Sequence, residues 1–181
     1  MSLKHNLFKK IIHSPITSHL LDYITIEFQS IIPCENDLPT NITPLRTFIE
    51  SIVNQSKTDT GTLVSTLSFA RRLKKILRKS KGMECTRHRI FLASLIITHK
   101  NLHDHALKNK HWLPFCDMFT AHEINLMEKQ LLQLLDYDLR INDFEEIQQD
   151  ILRIYAREYL MDSLPSDSYL PTLPFLIPSI L

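Results

Sequence analysis

Apolar residues recur three and four positions apart along most of this chain, and the recurrence is interrupted by a few short polar stretches. That period predicts helices. Ser14 followed by Pro15 reads as an N-cap with proline in the first turn, and Ile16, Leu20, Tyr23, Ile24 and Phe28 then predict a first helix to about Ser30. Residues 33–41, with Asn36, Asp37 and Pro39, carry no period and read as a loop. Thr43 and Pro44 repeat the cap signal ahead of one apolar stripe, Leu45, Phe48, Ile49, Ile52 and Val53.

After a break from Lys57 to Gly61, the positions Leu63, Val64, Leu67, Phe69, Ala70, Leu73, Ile76 and Leu77 predict a helix whose last turns are basic. Thr86 opens the next helix. There Ile90, Phe91, Leu92, Ala93, Leu95, Ile96 and Ile97 are apolar on nearly every side, as expected of a rod surrounded by other helices. A short helix or turn over Asn109 to Met118 carries the single tryptophan, Trp112. Thr120-Ala-His-Glu123 is a capping box, in which each end side chain satisfies the other's backbone N–H, and a helix through Leu126, Met127, Leu131, Leu134 and Leu135 follows. A second such box, Asn142 to Glu145, opens a helix with Ile147, Ile151, Leu152, Ile154 and Tyr155. From Ser163 onward four prolines and no helical period predict an extended end.

Composition narrows the class. Only two glycines, Gly61 and Gly82, occur in 181 residues, which leaves few positions for the positive-φ turns of hairpins and favours an all-α fold. A net charge of +1 gives no global pull toward nucleic acid or an anionic membrane, so neither is expected as a partner. Cys34, Cys85 and Cys116 are odd in number and form no Cys-x-x-Cys pair, which suits free thiols in a reducing compartment. No apolar run reaches the roughly 18 residues of a spanning helix, and the first ten residues lack the pattern of a signal peptide. The expectation is a soluble intracellular protein with no bound cofactor.

The order of elements and particular residues resemble the cyclins. Residues 43–141 are similar to the five helices of a single cyclin box, with Arg87 to Lys100 like the central box helix. Asn109-Lys-His-Trp112 and the run Glu123 to Leu139 are similar to the fungal Pcl-type cyclins, partners of the phosphate-pathway cyclin-dependent kinase. The resemblance implies an all-α fold: residues 1–42 as an N-terminal helix and linker, 43–141 as the box, 142–162 as a C-terminal helix and 163–181 as a proline-containing tail. The box is thus flanked by one helix on each side.

For function the resemblance implies a non-catalytic regulatory subunit, in the nucleus or cytoplasm, that binds and activates a cyclin-dependent serine/threonine kinase and helps select its substrates. Lys100 and Glu128 match the family's charged pair, which hydrogen-bonds backbone groups at the end of the kinase's regulatory helix. Leu132, Tyr137 and Leu139 match the kinase-facing side. Leu45, Arg46, Phe48 and Ile49 lie where many cyclins carry an exposed apolar patch that recruits substrates; the other reading of the same residues is a core face plus one surface arginine. Where the family places an aromatic and an acid after the lysine, Asn101 and Leu102 stand here.

Two further clusters have a chemistry of their own. Arg71, Arg72, Lys74, Lys75, Arg78, Lys79 and Lys81 read as a localisation signal, a phosphate-binding patch or a solvated helix face. His99 and His103, four apart, with His105 and His111 nearby, have a metal flavour, but no His-Glu-x-x-His frame accompanies them and no metal site is expected. The rival readings are a metal-dependent helical hydrolase and a cyclin-fold transcription adaptor. The adaptor should carry two boxes and a more basic surface.

Overall fold

The computed structural model describes residues 3–34 and 42–162, with side chains of the last helix to residue 158. The elements are α1 (Leu3–Ile12), α2 (Ser18–Gln29), α3 (Leu45–Ser56), α4 (Thr60–Leu77), α5 (Thr86–Leu102), a 3-10 segment (Asn109–Phe115), α6 (Ala121–Leu134) and α7 (Phe144–Asp162). Among the described residues the only β-type pairing is an isolated bridge between Cys34 and Gly82. The all-helical expectation holds.

The rod read from the run of apolar positions is α5. It packs on α4 and α6 and also touches α2 and α3. Residues from Ile90 to Thr98 are all buried, so every face of the helix meets protein. Burying an apolar side chain of this size contributes roughly 1.5–3 kcal/mol, which is why the neighbouring helices each turn their apolar stripe inward. Phe91 stands at the centre, with Phe28 of α2 edge-on at 5.1 Å and Phe48 of α3 at 6.4 Å between ring centroids. The capping box before α6 is formed: Thr120 Oγ1 accepts from Glu123 N–H and a Glu123 carboxylate oxygen accepts from Thr120 N–H.

Three readings at element starts are corrected. Ser14 and Pro15 do not cap a helix; the cap is Thr17, whose hydroxyl accepts from Leu20 N–H at 3.3 Å. Ser14 instead closes the end of α1, its hydroxyl donating to Ile11 O at 2.7 Å. Two helices therefore precede α3 where the pattern predicted one. Helix α1 stays in place because Phe8 and Ile11 are buried, with Phe8 edge-on to Phe144 of α7 at 5.4 Å. At α3 the cap position is Pro44 and no side chain bonds the first turn. Thr43 serves through its carbonyl, which accepts from His88 Nε2 at 2.8 Å. At α7 the first helical bond runs from Ile147 N–H to Asp143 O, one residue later than the box read at Asn142. The tail read as extended, from Ser163, lies outside the described residues, as does most of the loop read at 33–41.

Candidate functional site

Lys100 lies in the last turn of α5, where the helix dipole favours a cation. On α6 the buried face is Ile124, Met127 and Leu131, so Glu128, one position past Met127, falls on the rim beside it. The fold brings the two together: Lys100 Nζ donates to Glu128 Oε1 at 2.5 Å. The other carboxylate oxygen accepts from Asn109 Nδ2 at 2.6 Å, and that amide also donates to Asn125 Oδ1 at 2.8 Å. Glu128 thus ties together α5, the 3-10 segment and α6. Its side chain is 16% exposed and that of Lys100 is 35% exposed. An ammonium has three protons and one is used, so two N–H donors remain at the surface.

A turn beside this pair carries the aromatic residue. Helix α6 ends in a Schellman arrangement, with Tyr137 N–H donating to Leu132 O at 2.9 Å and Asp136 N–H to Gln133 O at 3.1 Å. Asp136 and Tyr137 both sit in the left-handed region, at φ 52° and 55°, which side chains other than glycine rarely adopt. The turn is held from outside. Arg72 of α4 donates to the carbonyl oxygens of Asp138 (2.6 Å), Leu135 (3.3 Å) and Arg140 (3.5 Å), and Asn101 Nδ2 of α5 donates to Leu139 O at 3.2 Å. Arg140 donates twice to the Asp138 carboxylate and, with its backbone N–H, holds that group well below the usual acid range.

Tyr137 is consequently presented at 63% exposure, while Leu132 and Leu139 are half-buried against the core. A shallow hollow of about 540 Å³ lies here, lined by Asn101, Tyr137, Asp138, Leu139, Arg140 and Ile141. All five residues read as kinase-facing therefore gather around the ends of α5 and α6. Asn109 and Arg72 were not read as part of this site. Asn109 belongs to the motif that resembles the Pcl-type cyclins, but periodicity gives no signal for a side-chain amide on a 3-10 turn, and Arg72 is hidden among the cations of the basic run.

The apolar patch expected at Leu45, Phe48 and Ile49 is not exposed. These side chains are 7%, 4% and 0% exposed, because the stripe of α3 faces the core and α2 packs over the same helix. Arg46 alone reaches the surface, donating to Asp22 (2.6 Å), Glu50 (2.9 Å) and Ser18 (3.2 Å).

His103 is occupied in bonding Thr62 Oγ1 at 2.8 Å and lies 3.6 Å from Asp59 Oδ2. His99 packs against it at 4.6 Å between rings, and burial lowers its pKa. Among the described residues no three His, Cys, Asp or Glu side chains converge as metal ligands, and no helix is long and apolar enough to cross a membrane.

The basic run divides. Arg71 turns inward to Asp150 (2.5 Å), Tyr23 Oη (3.3 Å) and, more loosely, Asp143 and Glu146 (both 3.7 Å), and Arg72 holds the turn described above. The remaining five cations are exposed.

Residues 28–140 match the family described as cyclin, N-terminal domain. Three Saccharomyces cerevisiae proteins are similar along the chain. PHO85 cyclin-1 is 36% identical over 79% of this chain and 59% of its own length. PHO85 cyclin-9 and PHO85 cyclin-2 are 35% and 32% identical, each over 70% of this chain and 44% of its own length. The chain thus spans roughly half the length of these curated relatives.

Proposed function

The chain belongs to the cyclin family, and from that premise we propose that it is a regulatory subunit which binds and activates a cyclin-dependent kinase of the PHO85 type. It supplies position rather than chemistry. The observation that carries the reading is the Lys100–Glu128–Asn109 cluster at the meeting of α5 and α6, with Tyr137 exposed beside it.

The last turn of any helix leaves carbonyl oxygens without intrahelical partners and carries the negative end of the dipole. An ammonium with two unused protons, fixed by a carboxylate, complements such an end on a partner. Tyr137 offers apolar area at low entropic cost next to that contact, as an anchor residue should. Leu132 and Leu139 extend the apolar floor. A subunit that grips the kinase's regulatory helix only in its active placement shifts the kinase toward that state by the difference in affinity between the two. In that state the glutamate of the regulatory helix pairs with the lysine that orients the ATP phosphates. We place the complex in the nucleus or cytoplasm, a reading supported by three cysteines with no disulfide, and imaging of a tagged chain tests it.

The test is reconstitution of a PHO85-type kinase with the purified chain. Kinase activity should rise on addition of the wild-type protein. It should fail to rise with Lys100→Ala/Glu128→Ala of unchanged helicity. Full activation by that double variant would overturn the assignment of the site, and no activation by the wild type would overturn the function.

A further inference from the structure

At the opposite end of α5 from Lys100, a groove of about 330 Å³ opens between the end of α4, the start of α5 and the face of α6 that carries Met127, Gln130, Leu131 and Leu134. The distance along α5 from Thr86 to Lys100 is about 20 Å at the α-helical rise, so the groove lies well away from the Lys100 end of the site above. Its floor is aliphatic: Ile32, Ile90, Met127 and Leu131 are buried there, and Leu77 and the 41%-exposed Leu134 form the walls. Ile76 and Met83 are also exposed on these segments.

The charge around it has one sign. Lys74, Leu77 and Arg78 share a face of α4, and Lys81 lines the groove itself. Lys75 and Lys79 add two further exposed cations, whereas Glu84 is the only acid in residues 71–86. Lys74 has one weak contact, to the Ser30 hydroxyl at 3.0 Å. Arg78 and Lys81 have no ion-pair partner among the described residues. The one other cation in the groove, Arg89, is already taken by Glu123 at 2.6 Å and by the ring of Phe119.

From this arrangement we propose that the groove between α4, α5 and α6 is a docking site for an Asp/Glu-rich peptide segment of a partner protein, one aliphatic side chain seated in the groove and the carboxylates on the lysines around it. Three features select this occupant. An aliphatic floor offers an anchor pocket but no aromatic ring on which a nucleic-acid base would stack. Four of the five exposed cations are lysines, point charges that take carboxylates spread along an irregular segment without the fixed geometry that a forked arginine pair demands. Among the described residues no acid pairs with Arg78 or Lys81, so their potential is left for a partner.

The probe is a fluorescein-labelled synthetic peptide with one central leucine among Asp and Glu, titrated with the full chain in fluorescence anisotropy. Binding should be saturable and should weaken about tenfold for Lys74→Glu/Arg78→Glu/Lys81→Glu, all three surface positions. A similar loss should follow when the peptide's leucine is replaced by asparagine or when Leu134 is replaced by serine. Raising salt from about 50 to about 300 mM should weaken it further. Lys100→Ala should leave it unchanged. The proposal is overturned if no saturable binding occurs, if the charge-reversed variant binds equally well, if the leucine is dispensable, or if a single-stranded oligonucleotide binds more tightly than the peptide.

Discussion

Phe91→Ala removes the ring at the centre of α5. The site is 0% exposed and is walled by Phe28, edge-on at 85° and 5.1 Å, and by Phe48 at 75° and 6.4 Å. Rings on the α2 and α3 sides are held by their own helices and cannot move in to close the space, so the cost belongs in the upper part of the range for such truncations, about 4 kcal/mol. Edge-to-face geometry contributes about 1 kcal/mol of that with Phe28 beyond area burial. With a urea slope of about 2 kcal/mol per molar for a chain of this size, the unfolding midpoint should fall by about 2 M. Trp112, the single tryptophan and 0% exposed, reports the transition by fluorescence. Phe28→Ala combined with Phe91→Ala should destabilise by less than the sum of the single effects. A midpoint shift under about 0.5 M at unchanged slope would refute the placing of this ring at the hub of the core.

Further outcomes follow from the charged and polar contacts. His88 and His99 both have pKa values lowered, in each case chiefly by burial, so the folded state binds fewer protons than the unfolded chain. Stability contributed by the neutral rings is present above the unfolded value of about 6.5 and is lost as pH falls toward the folded values, so thermal midpoints should drop below about pH 6.5, and less so for His88→Gln. Arg71→Met leaves Asp143 and Asp150 without their shared cation and should cost about 2 kcal/mol in thermal unfolding, with a cost under about 0.5 kcal/mol contradicting the inward placing of this arginine. Cys116 is buried and its thiol is pushed up by burial, so a thiol reagent should label it only as the chain unfolds, after the half-buried Cys85.

The parts of the fold that could be read in advance are those whose signals are local. Residues 90–97 announced a surrounded helix because nearly all are apolar, and Thr120 and Glu123 announced a cap because both halves of the reciprocal bond stand three positions apart. Helix α1 escaped because two of its residues, Phe8 and Ile11, do the anchoring, and the ring that Phe8 meets is Phe144, far along the chain. The same reason explains Ser14, which was a cap by local rule and became a C-terminal closure once Thr17 supplied the start of α2. At the site, the Lys100–Glu128 pair was legible through family resemblance alone, since nothing in the spacing of 28 residues requires contact. At Leu45, Phe48 and Ile49 the sequence admits both an exposed patch and a core stripe, and burial selects the stripe: the face of α3 is decided by what packs on it.

The loop after α6 hangs by three main-chain oxygens from the guanidinium of Arg72. Main-chain oxygens are common to every residue type, so this part of the loop's anchorage does not depend on which side chains it carries. The scaffold behaves as a tool holder: Arg72 is one clamp and Asn101, bonded to the oxygen of Leu139, is a second, so loss of Arg72 would loosen the whole mount and not one side chain alone.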